Sequence, residues 1–343
     1  MEEKAKDLAS LGEFGLIRHL TENLVIKNAE TILAVGDDAA VIDPAGMQVV
    51  VTTDLLTEGI HFDLIYTPLK HLGYKSVVVN LSDVYSMNAI PKQITVALAV
   101  SSKFTLEMIE ELYAGIRLAC DCYGVDLIGG DTSTSLTGMT ISITALGYAS
   151  ADQLVYRNGA RENDLICVTG DLGAAYLGLL LLEREKRVFA NNPQVQPQFA
   201  GYDYPLERFL KPEAGRGLIE MLRSKGIKPT SMIDISDGLS SEILHICQQS
   251  QVGCRIYEDK LPIDMVSLKL AEEMNLVSTT AVMNGGEDYE LLFTIAPEDY
   301  DKIKDEELIS VIGHITNPEK GYYLITQGDA AIELKAQGWN HGA

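Results

Sequence analysis

The sequence predicts a mixed α/β protein built in two lobes. Three observations carry that expectation. The chain has 343 residues, roughly two domains of ordinary size, and 46% of them are hydrophobic, enough to give each lobe its own core. Segments with strand periodicity and segments with helix periodicity alternate along it. A polar, turn-rich stretch between Ala149 and Asn163 separates two such regions and sets the expected domains at 1–150 and 151–343.

In the first lobe, Gln48 to Thr52 is a β-branched run and Ile94 to Val100 is another. Leu106, Ile109, Leu112, Ile116 and Ala119 then recur at helical spacing, with Thr105 in front of them as an N-cap. Met139 to Ala145 alternates apolar with polar residues, the pattern of a half-buried strand. The second lobe restarts with a strand from Asp164 to Thr169, a turn from Gly170 to Gly173 and a helix from Ala174 to Glu185. The stretch from Asn191 to Tyr204, with Pro193, Pro197 and several glutamines, is expected to be an exposed, mobile loop.

Charge excludes one function class. There are 27 Lys and Arg against 49 Asp and Glu, a net charge of −22, and no basic stripe that could grip a nucleic-acid backbone. The start, Met1-Glu2-Glu3-Lys4, does not read as a secretory signal. Apolar runs such as Tyr176 to Leu182 stop short of the ~20 residues of a membrane span. The five cysteines are odd in number and read as reduced thiols of a cytoplasmic protein; Cys120 and Cys122, two apart on a helix, point to different faces.

The acidic residues gather where strand-like runs break into glycine or hydroxyl residues. These places are Gly36-Asp37-Asp38, Thr52-Thr53-Asp54, Asn80-Leu81-Ser82-Asp83, Gly129-Gly130-Asp131-Thr132, Asp234-Ile235-Ser236-Asp237-Gly238 and Gly285-Gly286-Glu287-Asp288. Each alone is compatible with turn or cap chemistry. Together, short carboxylates beside hydroxyls are what Mg²⁺ requires, and they suggest one convergent acidic site. There is no Gly-Lys-Ser or Gly-Lys-Thr of a P-loop and no Gly-x-Gly-x-x-Gly after a strand, so a bound nucleotide would need metal to offset its charge. No His lies in a Gly-x-Ser-x-Gly or His-Glu-x-x-His context. His61, one short loop beyond Asp54, is balanced between a structural role and a substrate contact; Lys75 and Lys103 read as surface.

These motifs, with Thr57-Glu58-Gly59-Ile60-His61-Phe62 and Tyr289-Glu290-Leu291, stand in the order found in the thiamine-monophosphate kinase family, which the chain resembles from Gly12-Glu13-Phe14 to Gly338-Trp339-Asn340-His341. The resemblance implies the two-lobed aminoimidazole ribonucleotide synthetase-like fold, with an N-terminal α/β lobe that dimerises through its sheet and a C-terminal α+β lobe that closes the cleft. It implies ATP-dependent phosphorylation of thiamine monophosphate to thiamine diphosphate with several Mg²⁺ ions, in a homodimer. The metal ligands carried over are Asp38, Thr52, Thr53, Asp54, Asp83, Asp131 and Asp234, with Asp237 as a further candidate, and Asp54, Asp83, Asp131 and Asp234 as the catalytic set. Tyr113, Gly130, Asp131, Arg157 and Ser236 match nucleotide contacts, and His61, Glu287 and Trp339 match positions facing the thiamine phosphate. Thr52 stands where serine is frequent, and His341 is followed by Gly342 rather than an aromatic residue. The nearest alternative within the fold is an ATP-dependent cyclo-ligase acting on a phosphoribosyl amidine.

Overall fold

The computed structural model describes residues 19–34 and 41–336, so Asp38 and Trp339 lie outside the described residues. The chain divides into two compact units, one running to Val84 and resuming from Ala89 to Asp152, the other formed by Tyr85–Asn88 and the chain from Gln153 onward.

Among its described residues the first unit has a short ribbon, β1 (Thr31–Leu33) and β2 (Val41–Ile42). Its core is a sheet of β3 (Gln48–Thr57), β4 (Ile90–Val100), β5 (Asp126–Thr134) and β6 (Met139–Ala149), with helices α1 (Leu69–Ser86) and α2 (Leu106–Tyr123). The strand order is β3-β6-β4-β5, with β3–β6 and β6–β4 antiparallel and β4–β5 parallel. The parallel pair needs a crossover, and α2 supplies it. Thr105 caps α2 by accepting the Met108 N–H, and Gly124 ends it in the left-handed conformation. Gly73 on α1 and Gly115 on α2 let the helices touch backbone to backbone: a Cβ at either would fall about 2 Å from a carbonyl of the other helix (Leu112 and Lys70). Helix α1 is buried without interruption from Leu72 to Ser82. Lys75 is therefore not a surface residue as its charge suggests; it is 4% exposed, because this helix is covered on all sides.

The second unit holds a seven-stranded sheet in the order β13-β12-β9-β11-β7-β10-β8. Its strands are β7 (Leu165–Thr169), β8 (Ser231–Asp234), β9 (Gly253–Tyr257), β10 (Leu291–Ile295), β11 (Ile309–Thr316), β12 (Tyr322–Ile325) and β13 (Ala331–Glu333). Its main helices are α3 (Ala174–Asn191), α4 (Asp203–Leu210), α5 (Arg216–Ser224), α6 (Leu239–Ser250), α7 (Met265–Glu273) and α8 (Ser278–Asn284). Leu239, Ile243 and Ile246 of α6 pack with Ile166, Val168, Ile256 and Ile312 of the sheet, while α3, α7 and α8 share a second cluster around Leu177, Leu181, Leu270 and Ala281. The stretch after α3 is largely exposed, but it is tied down at its end. Gln198 N–H donates to Glu185 at 2.9 Å, Phe199 and Tyr202 pack against the second cluster, and α4 begins at Asp203.

No helix among the described residues is long and apolar enough to cross a membrane. All five cysteines are free thiols; Cys120 is buried and Cys122 exposed, so the two do point apart.

Candidate functional site

Alternation along β3 sends Thr52 and Asp54 to the helix-covered face and Thr53 to the other. Asp54 stands opposite Ile143, a core residue, and Thr52 reaches α1, where its hydroxyl donates to the Asp83 carboxylate at 2.5 Å. Asn80, one turn before Asp83, accepts the Asp54 N–H at 3.0 Å and donates to the Ser76 carbonyl at 3.0 Å. Asn80 and Asp83 thus occupy one face of α1 and clamp β3 in two places. Asn80 had no role assigned from sequence, although its spacing of three from Asp83 was the available signal.

Thr53 lies on the open face, donating to the Ile143 carbonyl at 3.1 Å and accepting from Thr144 at 3.1 Å. Asp131 is on that face too, opposite Ala97, but on β5, at the far edge of the sheet. Three strand spacings, about 14 Å, separate it from β3. A single chain therefore does not bring Asp131 to Thr53 and Asp54. Gly130 is fixed by packing, since a Cβ there would lie 2.0 Å from the Val96 carbonyl. Tyr113 sits on α2 at 6% exposure, and burial pushes its hydroxyl up to about 12.

His61 closes the turn that follows β3. Its N–H donates to the Thr57 carbonyl at 3.0 Å while its ring Nδ1 accepts the Thr57 N–H at 3.1 Å, with Gly59 at φ 85° supplying the reversal. Glu58 pins the same turn, pairing with Lys103 at 2.6 Å and accepting the Met139 N–H at 2.8 Å.

In the second unit, Asp234 ends β8 at 4% exposure, and two motif loops run on together from β8 and into β10. Glu287 N–H donates to the Ser236 carbonyl at 2.7 Å, Tyr289 N–H to the Ile235 carbonyl at 2.9 Å, and Ile235 N–H to the Glu290 carbonyl at 2.8 Å. Glycine is required at 286, where a Cβ would lie 2.4 Å from the Ser236 carbonyl. Glu287 and Tyr289 take φ of 63° and 53°, a conformation unusual for such side chains. Asp237 N–H donates to Glu242 at 3.1 Å, and burial pushes the Glu242 carboxyl up to about 8.

Asp288 turns inward. Wholly buried, it accepts the Gly173 N–H at 2.8 Å and the Ala175 N–H at 3.4 Å, capping α3. Burial pushes its carboxyl up to about 7 against the opposing pull of Arg208. Arg208, from α4, bonds the Asp288 carbonyl at 3.2 Å, the Asp171 carbonyl at 3.3 Å and the Glu290 carboxylate at 2.9 Å, and Glu290 also accepts from Thr169. Burial lowers the guanidinium's proton affinity, but Glu290, Asp288 and Asp171 outweigh it. Neither Asp288 nor Arg208 was singled out from sequence as a support of this loop. Arg157 is exposed, in a turn tied to β8 and α6 through Tyr156 and its own carbonyl.

Among the described residues no three His, Cys, Asp or Glu side chains converge as a metal cluster. The donors on the β3–α1 face are nevertheless all oxygens, a hydroxyl and two carboxylates, which suits a hard cation such as Mg²⁺.

Comparison with known proteins follows the same division. Residues 36–149 match the AIR synthase related protein, N-terminal domain, and residues 161–325 the AIR synthase related protein, C-terminal domain. The thiamine-monophosphate kinase of Bacillus subtilis is 33% identical over 337 residues, covering 96% of this chain and 99% of that protein. The crystal structure of thiamine-monophosphate kinase from Stenotrophomonas maltophilia superposes with a TM-score of 0.76 at 32% identity, over 92% of this chain and 95% of the other. AaThiL complexed with AMPPCP and TMP gives 0.74 at 28% identity, over 98% and 99%. The hydrogenase maturation protein HypE in complex with ATP shares the fold, with a TM-score of 0.73 at 18% identity over 93% and 94%.

Proposed function

The chain belongs to the thiamine-monophosphate kinases within the AIR synthase related proteins, and from that premise we propose that it transfers the γ-phosphoryl group of ATP to thiamine monophosphate, directly and in line, in the cytoplasm. The observation that carries this reading is likeness to such a kinase over 96% of the chain. The AaThiL complex, which holds AMPPCP and TMP together, supports the pairing of nucleotide and acceptor.

The acceptor is a phosphate monoester with a second pKa of about 6, so near neutral pH it is already largely dianionic. No general base has to deprotonate it. The obstacle is repulsion between two highly charged phosphates beside a protein of net charge −22. Mg²⁺, when bound, would offset that repulsion and help align the two groups. Thr52, Asp54 and Asp83 would hold it on the β3–α1 face, with Thr53, Asp131, Asp234, Asp237 and Asp38 as the further ligands the family pattern adds. Asn80 keeps the Asp54 backbone and α1 in fixed register for that purpose. Tyr113, Gly130, Arg157 and Ser236 are assigned to ATP, and His61, Glu287 and Trp339 to thiamine monophosphate.

The position of Asp131 favours a homodimer. The open sheet face exposes Val49, Val51 and Leu55 at 42%, 60% and 56%, apolar surface that a second copy would cover. Two such sheets related by a two-fold axis close edge to edge, with β5 of one beside β3 of the other. Asp131 of one chain would then complete the Thr53–Asp54 site of its partner.

Incubation of the purified protein with Mg-ATP and thiamine monophosphate, followed by chromatography of the thiamine phosphates, tests the reaction. Thiamine diphosphate appearing in step with ADP is the expected result. ATP left intact, or hydrolysed without thiamine diphosphate, would contradict it.

A further inference from the structure

Glu287 and Tyr289 hold positive φ on either side of Asp288, a backbone shape their side chains disfavour and that neighbouring groups have to impose. The loop after β8 imposes it from one side, through the amides of Glu287 and Tyr289. Helix α4 imposes it from the other. Tyr204 and Arg208 stand four residues apart on α4 and share a face. One amino group of Arg208 is shared between the Asp171 carbonyl at 3.3 Å and the Asp288 carbonyl at 3.2 Å, and the other pairs with the Glu290 carboxylate at 2.9 Å. The Tyr204 hydroxyl donates to the Asp171 carboxylate. Gly170 leaves room for this grip, since a Cβ there would lie 2.4 Å from the Glu290 carboxylate. Helix α4 is itself seated: a Cβ at Gly178 of α3 would fall 2.1 Å from the Pro205 carbonyl, so the two helices touch backbone to backbone. Because Asp288 caps α3, the contacts close a ring from Asp288 through α3 and α4 and, by way of Arg208, back to the Asp288 carbonyl.

We propose that α4, with the stretch that links it to α3, is a brace for the acceptor side of the site, in which Arg208 and Tyr204 are positioning residues that fix the backbone of Glu287 and through it the affinity for thiamine monophosphate. The proposal rests on the kinase reading for what Glu287 binds, though not for the brace itself. Arginine suits the place because its planar fork serves two carbonyls and a carboxylate at once. Lysine would keep the charge opposite Glu290 and lose the fork. The linking stretch gains a role by the same account: Gln198, tied to Glu185 at 2.9 Å, sets where the chain turns back into α4 and so where Tyr204 and Arg208 arrive.

Hydrogen exchange of the full-length protein, read by mass spectrometry, tests the brace without any turnover. In Arg208→Lys, peptides covering 285–291 should exchange faster, while peptides from β9 and β12 of the same unit keep their wild-type rates. Tyr204→Phe removes only a hydroxyl and should give the same pattern at smaller size, and it serves where Arg208→Lys does not fold. Unchanged exchange at 285–291 in the folded variants, or acceleration spread evenly over the unit, overturns the brace. Kinetics then test its purpose. Arg208→Lys should raise KM for thiamine monophosphate about tenfold, the size of losing a hydrogen bond to a charged group, while KM for ATP changes little. In a Glu287→Ala background the same substitution should add nothing further, because both changes act through one side chain. KM values for the two substrates that rise together, or losses that add in the double variant, overturn the positioning role. If exchange behaves as expected and wild-type protein forms no thiamine diphosphate, the kinase reading fails and the brace stands.

Discussion

The two units carry acidic motifs that look alike in sequence but are held in opposite ways. On the β3–α1 face, Thr52, Asp54, Asn80 and Asp83 are clamped between a strand and a helix, while Asp131 sits on the other sheet face at the far edge. In the second unit, the loops after β8 and before β10 are laced together backbone to backbone and anchored from beneath by Asp288 and Arg208. The two loops of the second unit are joined within one chain, whereas Asp131 lies a sheet-width from β3. Motifs on regular strands depend on strand order for their meeting, whereas motifs on adjacent loops can be joined locally.

Substitutions should separate the two arrangements. The largest effect is expected at the strand–helix clamp, where Asp54→Asn or Asp83→Asn should lower kcat on the order of a hundredfold or more and shift the magnesium dependence. Retained turnover at saturating Mg²⁺ would remove either residue from the ligand set. Next, Arg208→Met leaves Glu290 and Asp288 without their cation, and should cost about 3–5 kcal/mol of stability by denaturant titration. A midpoint unchanged from wild type would show that the loop pair does not depend on this anchor. Trp339, outside the described residues, is the only tryptophan, and stacking on a thiazolium ring would contribute about 1–2 kcal/mol. Trp339→Ala should then raise KM for thiamine monophosphate roughly tenfold with little change for ATP; equal changes for both would refute the stacking.

The smallest effect concerns pH. Asp288 is pushed up to about 7 by burial, so the folded chain holds this proton more tightly than the unfolded chain does. The sign follows: the group favours folding at low pH, and that contribution is lost as the pH rises from the ordinary carboxylate range through about 7. Asp288→Asn should flatten the fall in stability between about pH 4 and 7. An unaltered slope would mean that the carboxylate is ionised throughout, as its two amide partners and Arg208 favour.

Much of this fold was legible because it follows from local pattern. The alternation of Met139 to Ala145, the helical spacing from Leu106 and the Thr105 cap all appear where the residues place them. The family and its two-lobed fold were legible in the ordered motifs. Helix α3 runs past Glu185 to Asn191, because nothing in that stretch breaks a helix. What was not legible is long-range. The order β3-β6-β4-β5 puts the last strand of this sheet beside its first and β5 at the opposite edge, so Asp131 is distant from Asp54 although both look like strand-end ligands. Lys75 is buried because neighbours cover α1, which its own charge cannot report. The left-handed residues at Glu287 and Tyr289 are imposed by lacing to the Asp234–Gly238 loop, not by their own preference.

The central claim, phosphoryl transfer at a site completed by a second copy, is tested most directly by mixing two inactive variants. Asp54→Asn and Asp131→Asn are unfolded or dissociated together, reassociated, and assayed for thiamine diphosphate from Mg-ATP and thiamine monophosphate. If Asp131 serves the partner's β3, a mixed dimer carries one doubly altered site and one intact site, and a substantial fraction of wild-type activity should return. If the mixture, with mixed dimers verified, stays as inactive as either variant alone, each site is built from a single chain and the account is contradicted.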